Sequence, residues 1–442
     1  MTDSALLEEK LNVEKIIETF KSGEKDSKDL SIGLEYERIP IVVNTNKNAQ
    51  YEDVDGICSF LQDVARADGW DYITDDVTNN IIGLKQMHDT ITLEPGCQVE
   101  LSIQPESDIS DLKQKVKTIN SAIMPLLDYH GITLLNYGVQ PSTTYPYIKL
   151  IPKKRYHLMQ KYMWGILSDV MMRETAGIQC GIDFTSEEDM AKKFNVAQKM
   201  SPFMTAMFAN SPIRGGVDTG YKSFRALSWL NTDNDRCGFF NNFEKEFTYK
   251  KYVERVLKTP MIFVSRGGNI IDLDGKIDFA EYMRGNYNAT MEDFELQANL
   301  CFPDVRLRKF IEIRNHDCVD ENLMWAIPAI YKGIMYNQDA LNYMEEFLET
   351  FNYSDICELR YNVVKLALDA KIKNFKVLDI AKEILVTAEN SLKVISPQDI
   401  SFLEGIKELT FQNLTPAEII LKNWYGLWRQ DINKFVKSLA RV

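Results

Sequence analysis

Ile91 to Ile103 reads ITLEPGCQVELSI, and the alternation within it decides what kind of chain this is. With a period of two, Val99, Leu101 and Ile103 fall on one face of a strand, and Gln98, Glu100 and Ser102 on the other. Ile91 to Glu94 alternates in the same way. Pro95-Gly96 between the halves supplies a turn or bulge, because proline presets φ and glycine tolerates a positive one. Glu94 and Glu100 are therefore carried on sheet backbone, and a carboxylate on the face of a sheet needs a reason.

Two further strands repeat the pattern. In Ser31 to Arg38, SIGLEYER, Ile32, Leu34 and Tyr36 share one face, which leaves Glu35 and Glu37 together on the other, roughly 6 to 7 Å apart. In Phe310 to Arg314, FIEIR, Ile311 and Ile313 point one way and Glu312 and Arg314 the other. An E-x-E strand alone is commonly the wet side of a half-exposed sheet. Three such strands with an arginine added point further, to hard cations between the acids and a basic clamp for phosphate. Oxygen ligands of this kind suit Mg²⁺, with Mn²⁺ as the alternative.

The composition of the 442 residues is globular: 45% hydrophobic and 26% charged. A net charge of −13 argues against nucleic acid or an anionic membrane as partner. The N-terminal MTDSALLEEKLNVEKIIETF reads as an amphipathic helix without the basic start and apolar core of a signal peptide. No run of eighteen apolar residues is present, so no membrane span is expected. The seven cysteines are scattered and the four histidines show no ligand spacing, which suits reduced thiols in a cytoplasmic protein and excludes a disulfide framework.

Along the chain, a helix is expected from Asp108 to His130, closed by Gly131, and one long helix through RYHLMQKYMWGILSDVMMR to about Arg173. Ile178 to Phe184 reads as a strand presenting Gln179, Glu187 to Ala209 as a helix, and Lys222 to Trp229 as a strand carrying Arg225. The last hundred residues are helical in pattern, with starts at Ser396-Pro397 and Thr415-Pro416. The organisation expected is a catalytic α+β part over 1–337 and a helical C-terminal layer over 338–442 on the same body. Neither a P-loop nor a strand-linked G-x-G-x-x-G occurs, so a nucleotide would be held by metals and basic side chains.

The segments IGLEYE, ITLEPGCQVELS, YGVQP, IPKKRY, MMRETAGIQ, TAMFANSP, SFRALSW, NTDNDRCG, FPDVRLRKFIEIR and IPAIYKGIMY occur in this order. As an ordered set, from about Leu30 to Tyr336, they resemble the plant and proteobacterial type of glutamate-cysteine ligase. The resemblance implies a curled antiparallel β-sheet with helices packed outside, like that of glutamine synthetase. It also implies ATP- and Mg²⁺-dependent joining of L-glutamate to L-cysteine through γ-glutamyl phosphate, in a monomer or homodimer. Carried over residue by residue, Glu35, Glu37, Glu94, Glu100 and Glu312 resemble the metal-site acids, with Gln179 a neutral ligand or orienting group. Arg314 resembles the arginine that meets phosphate, and Arg225 the arginine near the substrate carboxylates or the reacting γ-group. Arg173, Lys85 and Arg155 are further candidates for anion contacts.

The departures fall near the second substrate. Ile262 stands where the family commonly places a tyrosine lining the cysteine site, and STTYPY, with Tyr145, lacks the usual tryptophan and arginine. Gly181 replaces a frequent asparagine. A γ-glutamyl ligase with another amine acceptor, a non-catalytic glutamate or nucleotide sensor, and a metal-dependent hydrolase are the alternatives.

Overall fold

In the computed structural model, which describes residues 11–244 and 246–440, ten strands form one antiparallel sheet. They are β1 (Ile32–Val42), β2 (Lys47–Asn48), β3 (Asp71–Thr74), β4 (Ile81–Gln86), β5 (Asp89–Leu93), β6 (Val99–Glu106), β7 (Ile132–Leu135), β8 (Gly177–Ile182), β9 (Val305–Leu307) and β10 (Ile311–Asp317). The order across the sheet is β9-β10-β8-β1-β6-β5-β4-β3, and β2 and β7 pair with the far end of β1. The ITLEPGCQVELSI stretch is the β5–β6 hairpin, in register from Thr90↔Ser102 to Leu93↔Val99. Its turn places the left-handed residue at Cys97 (φ 71°), one position later than the Pro-Gly pair suggests.

Alternation gives the sheet two unlike faces. Leu34, Tyr36, Ile178, Cys180, Leu101, Ile311 and Ile313 are all buried on one. They pack under α3 (Ile109–Tyr129) and other helices, which is what drives the sheet to bury that side. The opposite face carries Glu35, Glu37, Glu100 and Gln179. It is roofed by α4 (Lys154–Tyr162), α5 (Ser168–Glu174), the segment around Asn299 to Phe302, and the end of a third short helix, Phe224–Leu230.

Two expected elements differ. The stretch to Arg173 is broken into α4 and α5, with Met163 extended (φ −86°, ψ 101°). Gly165 lies against the backbone of Asn231 and Thr232: its N–H donates to the Thr232 carbonyl at 2.8 Å, and a Cβ there would stand 2.0 Å from that oxygen. This tertiary contact overrides a helical pattern that is locally continuous. Lys222 to Trp229 is a helix and not a strand. Ser223 caps it by accepting from the Ala226 N–H, after a buried α6 (Glu187–Met207); the capped helix itself is α7 (Phe224–Leu230).

The C-terminal helices include α8 (Ala326–Met335), which packs on β8 and β1 behind the sheet, α9 (Tyr353–Leu366), which packs on α6 and α7, α10 (Val377–Ile395) and α11 (Pro416–Tyr425). α11 opens with a capping box between Thr415 and Glu418. A 3₁₀ helix, Pro397–Leu403, starts at the expected Ser396-Pro397, but Ser396 makes no side-chain capping bond: its hydroxyl donates to Asp399, which together with Ser396 receives the buried Lys332 ammonium of α8. One continuous apolar core runs from Ile16 to Val436, shared by sheet and C-terminal helices. α1 (Val13–Lys21) covers part of the expected N-terminal helix; its first ten residues lie outside those described. Among the described residues no helix is long and apolar enough to cross a membrane.

Candidate active site

The strand register brings the acids into rows. Glu37 stands directly opposite Glu100, with Thr92 beyond it on β5. Glu35 stands opposite Gln179 on one side and Ser102 on the other. Like charges directly opposite one another destabilise a sheet, so the Glu37–Glu100 pair is not there for the fold. These side chains, with Glu94 at the end of β5, form one wall of a cavity of ≈ 270 Å³. Arg155 of α4, Arg306, Arg308 and Arg314 face it, and Trp229 of α7 closes one end.

Each carboxylate is held differently. Glu37 accepts from the Gly177 N–H at 2.6 Å and from Gln179 Nε2 at 2.9 Å. Glu100 accepts from the Thr92 hydroxyl at 2.7 Å. Among the described residues no donor reaches Glu35 or Glu94. Burial pushes the Glu35 carboxyl up to about 7, the Glu312 charge adding to this and Arg308, Arg314 and Arg306 opposing it. Glu100 is raised well above the usual carboxylate range by burial and then by Glu35, Glu94 and Glu37. Glu37 is raised by burial in the same way, with Arg225 pulling against it. The wall thus lacks positive charge.

Glu312 lies on the acid face as alternation puts it, but it is engaged by cations. Only 1% exposed, it receives Arg306 in a fork (2.6 and 3.1 Å), Arg314 at 3.1 Å and Arg308 at 3.3 Å. These three guanidinium groups hold its carboxyl far below the usual range against the cost of burial. Glu312 therefore organises the arginine wall and has little left for a metal. Arg314 also donates to Gln179, which ties the arginine wall to Glu37 through one amide.

Arg225 is 2% exposed and its guanidinium lies over Gly177, where a Cβ would come within 2.3 Å of Nη2. It donates to the Arg314 carbonyl at 3.0 Å, and its own N–H donates to Ser211 Oγ at 3.1 Å. Asp317 fixes this corner by accepting from the Ser211 and Ser223 hydroxyls at 2.6 and 2.8 Å. Arg225 lines a smaller adjoining pocket and not the acid cavity.

Four expected contacts are not brought to the cavity. Arg173 donates to the Ile148 and Tyr145 carbonyls at 2.9 and 3.2 Å and pairs with Asp169, so it pins a loop. Tyr145 begins the short turn that this pinning holds, and its N–H donates to Glu174 at 2.7 Å. Lys85 shares the acid face but stands exposed on β4, beyond Thr90. Ile262 is fully buried in the core. Trp229, Arg306, Arg308 and Asp304 escaped notice in the sequence, although V-R-L-R before E-I-R alternates as clearly as the acids do.

The model of glutamate-cysteine ligase family 2 matches residues 31–431. The chain belongs to that family. Glutamate–cysteine ligase A, chloroplastic, of Oryza sativa subsp. indica is 31% identical over 449 residues, covering 99% of this chain and 89% of its own. The chloroplastic glutamate–cysteine ligase of Arabidopsis thaliana is 30% identical over 449 residues, covering 99% and 84%. A crystal structure of glutamate–cysteine ligase from Francisella tularensis in complex with AMP superposes with a TM-score of 0.61 at 13% identity, covering 93% of this chain and 87% of that one. A bifunctional glutathione synthetase from Pasteurella multocida gives 0.56 at 12% identity, over 97% of this chain and 54% of its own. These two likenesses show a shared fold.

Membership of glutamate-cysteine ligase family 2 carries an expectation of Mg²⁺. Among the described residues no three His, Cys, Asp or Glu side chains converge to hold a metal ion. The donor set fits Mg²⁺ in another way. Mg²⁺ takes hard oxygens, commonly one or two protein carboxylates, and completes its shell with water and substrate phosphates. Glu35, Glu37, Glu94 and Glu100 offer such oxygens without paired cations.

Proposed function

We propose that this chain is an ATP- and Mg²⁺-dependent glutamate–cysteine ligase that joins the γ-carboxylate of L-glutamate to the amine of L-cysteine through γ-glutamyl phosphate. The observation that carries this reading is the opposition of walls: uncompensated carboxylates on the sheet and a guanidinium cluster across ≈ 270 Å³ from them. Phosphoryl transfer to a carboxylate, then displacement by an amine, gathers negative charge twice. Preorganised cations are the group that lowers such barriers. Arg314, held by Gln179 and Glu312, and Arg155, whose Nε is buried with no hydrogen-bond acceptor among the described residues, face the transferred group. Glu35, Glu37, Glu94 and Glu100 of the acid wall would hold Mg²⁺, which would supply positive charge against the phosphates there.

A second cavity of ≈ 480 Å³ shares Glu35 and Gln179 with the first and continues over Gly33, Gly181, Phe310 and Pro105, with Lys25 and Lys309 at its rim. Its apolar walls and basic rim support it as the nucleotide end. No protein nucleophile is required. Cys97 is fully buried and burial pushes its thiol far upward, which suits an inert side chain. The seven unpaired cysteines support a cytosolic site.

The test is product formation from ATP, Mg²⁺ and L-glutamate with L-cysteine, 2-aminobutyrate or glycine as acceptor, and Glu100→Gln as control. γ-Glutamylcysteine made by the wild type and lost on the order of a hundredfold in the variant is expected. Product from another amine alone would transfer the proposal to that acceptor.

A further inference from the structure

Behind Trp229, a pocket of ≈ 40 Å³ adjoins the acid cavity, and the two share Trp229 and Arg314. Arg225, Asp304 and Arg360, with Thr205 and Asn315, complete its polar lining. Arg360 comes from α9, in the C-terminal layer, far from every motif of the site. Its Nη2 donates to Asp304 Oδ1 at 2.7 Å, and both side chains are 14% exposed. Its guanidinium stacks on Phe239, 4.5 Å from the ring centre. Asp304 is bound on its other side by backbone: its N–H donates to the Gly238 carbonyl and its carbonyl accepts from the Arg314 N–H, each at 2.9 Å.

Arg360 is paired with Asp304 and Arg314 with Glu312, which leaves Arg225, bound through Nη2 to a backbone carbonyl, as the guanidinium of this pocket without an ion pair among the described residues. Arg225 Nε and Trp229 Nε1 are buried with no hydrogen-bond acceptor among the described residues. The Asp304 carboxyl, raised by burial, lies in the field of Arg360 first, then of Arg225 and Arg314. The pocket has room for a few waters or one carboxylate group, and none for a base.

We propose that Arg360 is a positioning residue, which by engaging Asp304 keeps Arg225 and Arg314 available to the carboxylate of an amino-acid substrate entering this pocket. The proposal rests on the ligase reading for the identity of the substrate. Without the Arg360 charge, Asp304 turns to Arg225 and Arg314 and competes with the incoming anion.

Three variants test this: Arg360→Met, Arg360→Lys, and Arg360→Met combined with Asp304→Asn. Arg360→Met is expected to raise KM for L-glutamate or for L-cysteine on the order of tenfold, with KM for ATP and kcat little changed. Whichever amino acid responds is the one whose carboxylate the pocket takes. Arg360→Lys recovers part of the loss. The double variant recovers most of it, because the competing carboxylate is gone, whereas damage to packing alone would persist or add. Should Arg360→Met not fold, Asp304→Asn alone decides: KM for the amino acids unchanged or lowered supports the role, and a tenfold rise overturns it. Equal changes for all three substrates, or a double variant worse than Arg360→Met, would also overturn it. Calorimetric titration with L-glutamate and with L-cysteine repeats the comparison without turnover. A wild type that makes no product therefore sinks the ligase reading, while the titrations still decide the role of Arg360.

Discussion

Glu35 accepts no hydrogen bond among the described residues, and its carboxyl is pushed up from 4.5 to about 7, first by burial and then by Glu312. Between these two values the folded chain holds a proton that the unfolded chain has released. Stability therefore falls as pH rises across that window and levels off above it. Glu35→Gln removes this contribution, so the drop in urea midpoint between pH 5 and pH 8 should be smaller in the variant; an identical drop would count against the placement. The Arg306–Glu312 fork has the opposite character, with side chains 7% and 1% exposed and every carboxylate oxygen engaged. Arg306→Met strips one partner from a buried charge and should cost about 3 kcal/mol in urea unfolding. The acids were legible because a period of two puts Glu35, Glu37 and Glu100 on one face whatever lies around them. The engagement of Glu312 by three arginines, one of them two residues away and two on the strand opposite or beyond it, depends on a hairpin that alternation alone does not place.

At the scale of elements, strands and long helices followed from their periodicities. Val99–Glu106, Gly177–Ile182, Ile311–Asp317 and Ile109–Tyr129 all occur where alternation or a spacing of three and four put them. The misreadings lie over the cavity. SFRALSW can be read as a strand, yet Ser223 is a good N-cap and starts a helix there, and the α4–α5 break has no proline to mark it. Both segments are shaped by one another: Gly165 and Leu167 donate to the carbonyls of Thr232 and Asn231, just past α7. Gly165→Ala puts a Cβ 2.0 Å from a backbone oxygen that cannot retreat without moving α7 and Trp229. It should lower stability by about 2 kcal/mol and reduce turnover together, measured by thermal unfolding and product formation. Full activity in a folded Gly165→Ala variant would show that the α4–α5 junction does not set the site.

For the molecule as a whole, the expected parts, 1–337 and a helical layer after it, are joined by a single core and by the buried Lys332–Asp399 contact at 2.6 Å. A chain ending at 337 would expose the apolar faces of α8 and α6 against which α10 packs. It should be recovered insoluble or without a cooperative transition in calorimetry, and a soluble truncated chain with sharp unfolding would refute that dependence. Membership of glutamate-cysteine ligase family 2 was legible from ordered motifs, because IGLEYE, ITLEPGCQVELS and FPDVRLRKFIEIR among them are the strands and turns that build the two walls. The contribution of α9 was not, since nothing local distinguishes Arg360 from any other helical arginine. The central claim is that the carboxylate and guanidinium walls activate the γ-carboxylate of L-glutamate as an acyl phosphate. The most direct measurement uses L-glutamate labelled with oxygen-18 in that carboxylate, turned over with ATP, Mg²⁺ and L-cysteine, with the released phosphate analysed by mass. Transfer of one labelled oxygen to each phosphate is the result expected, and unlabelled phosphate released in step with product would contradict it.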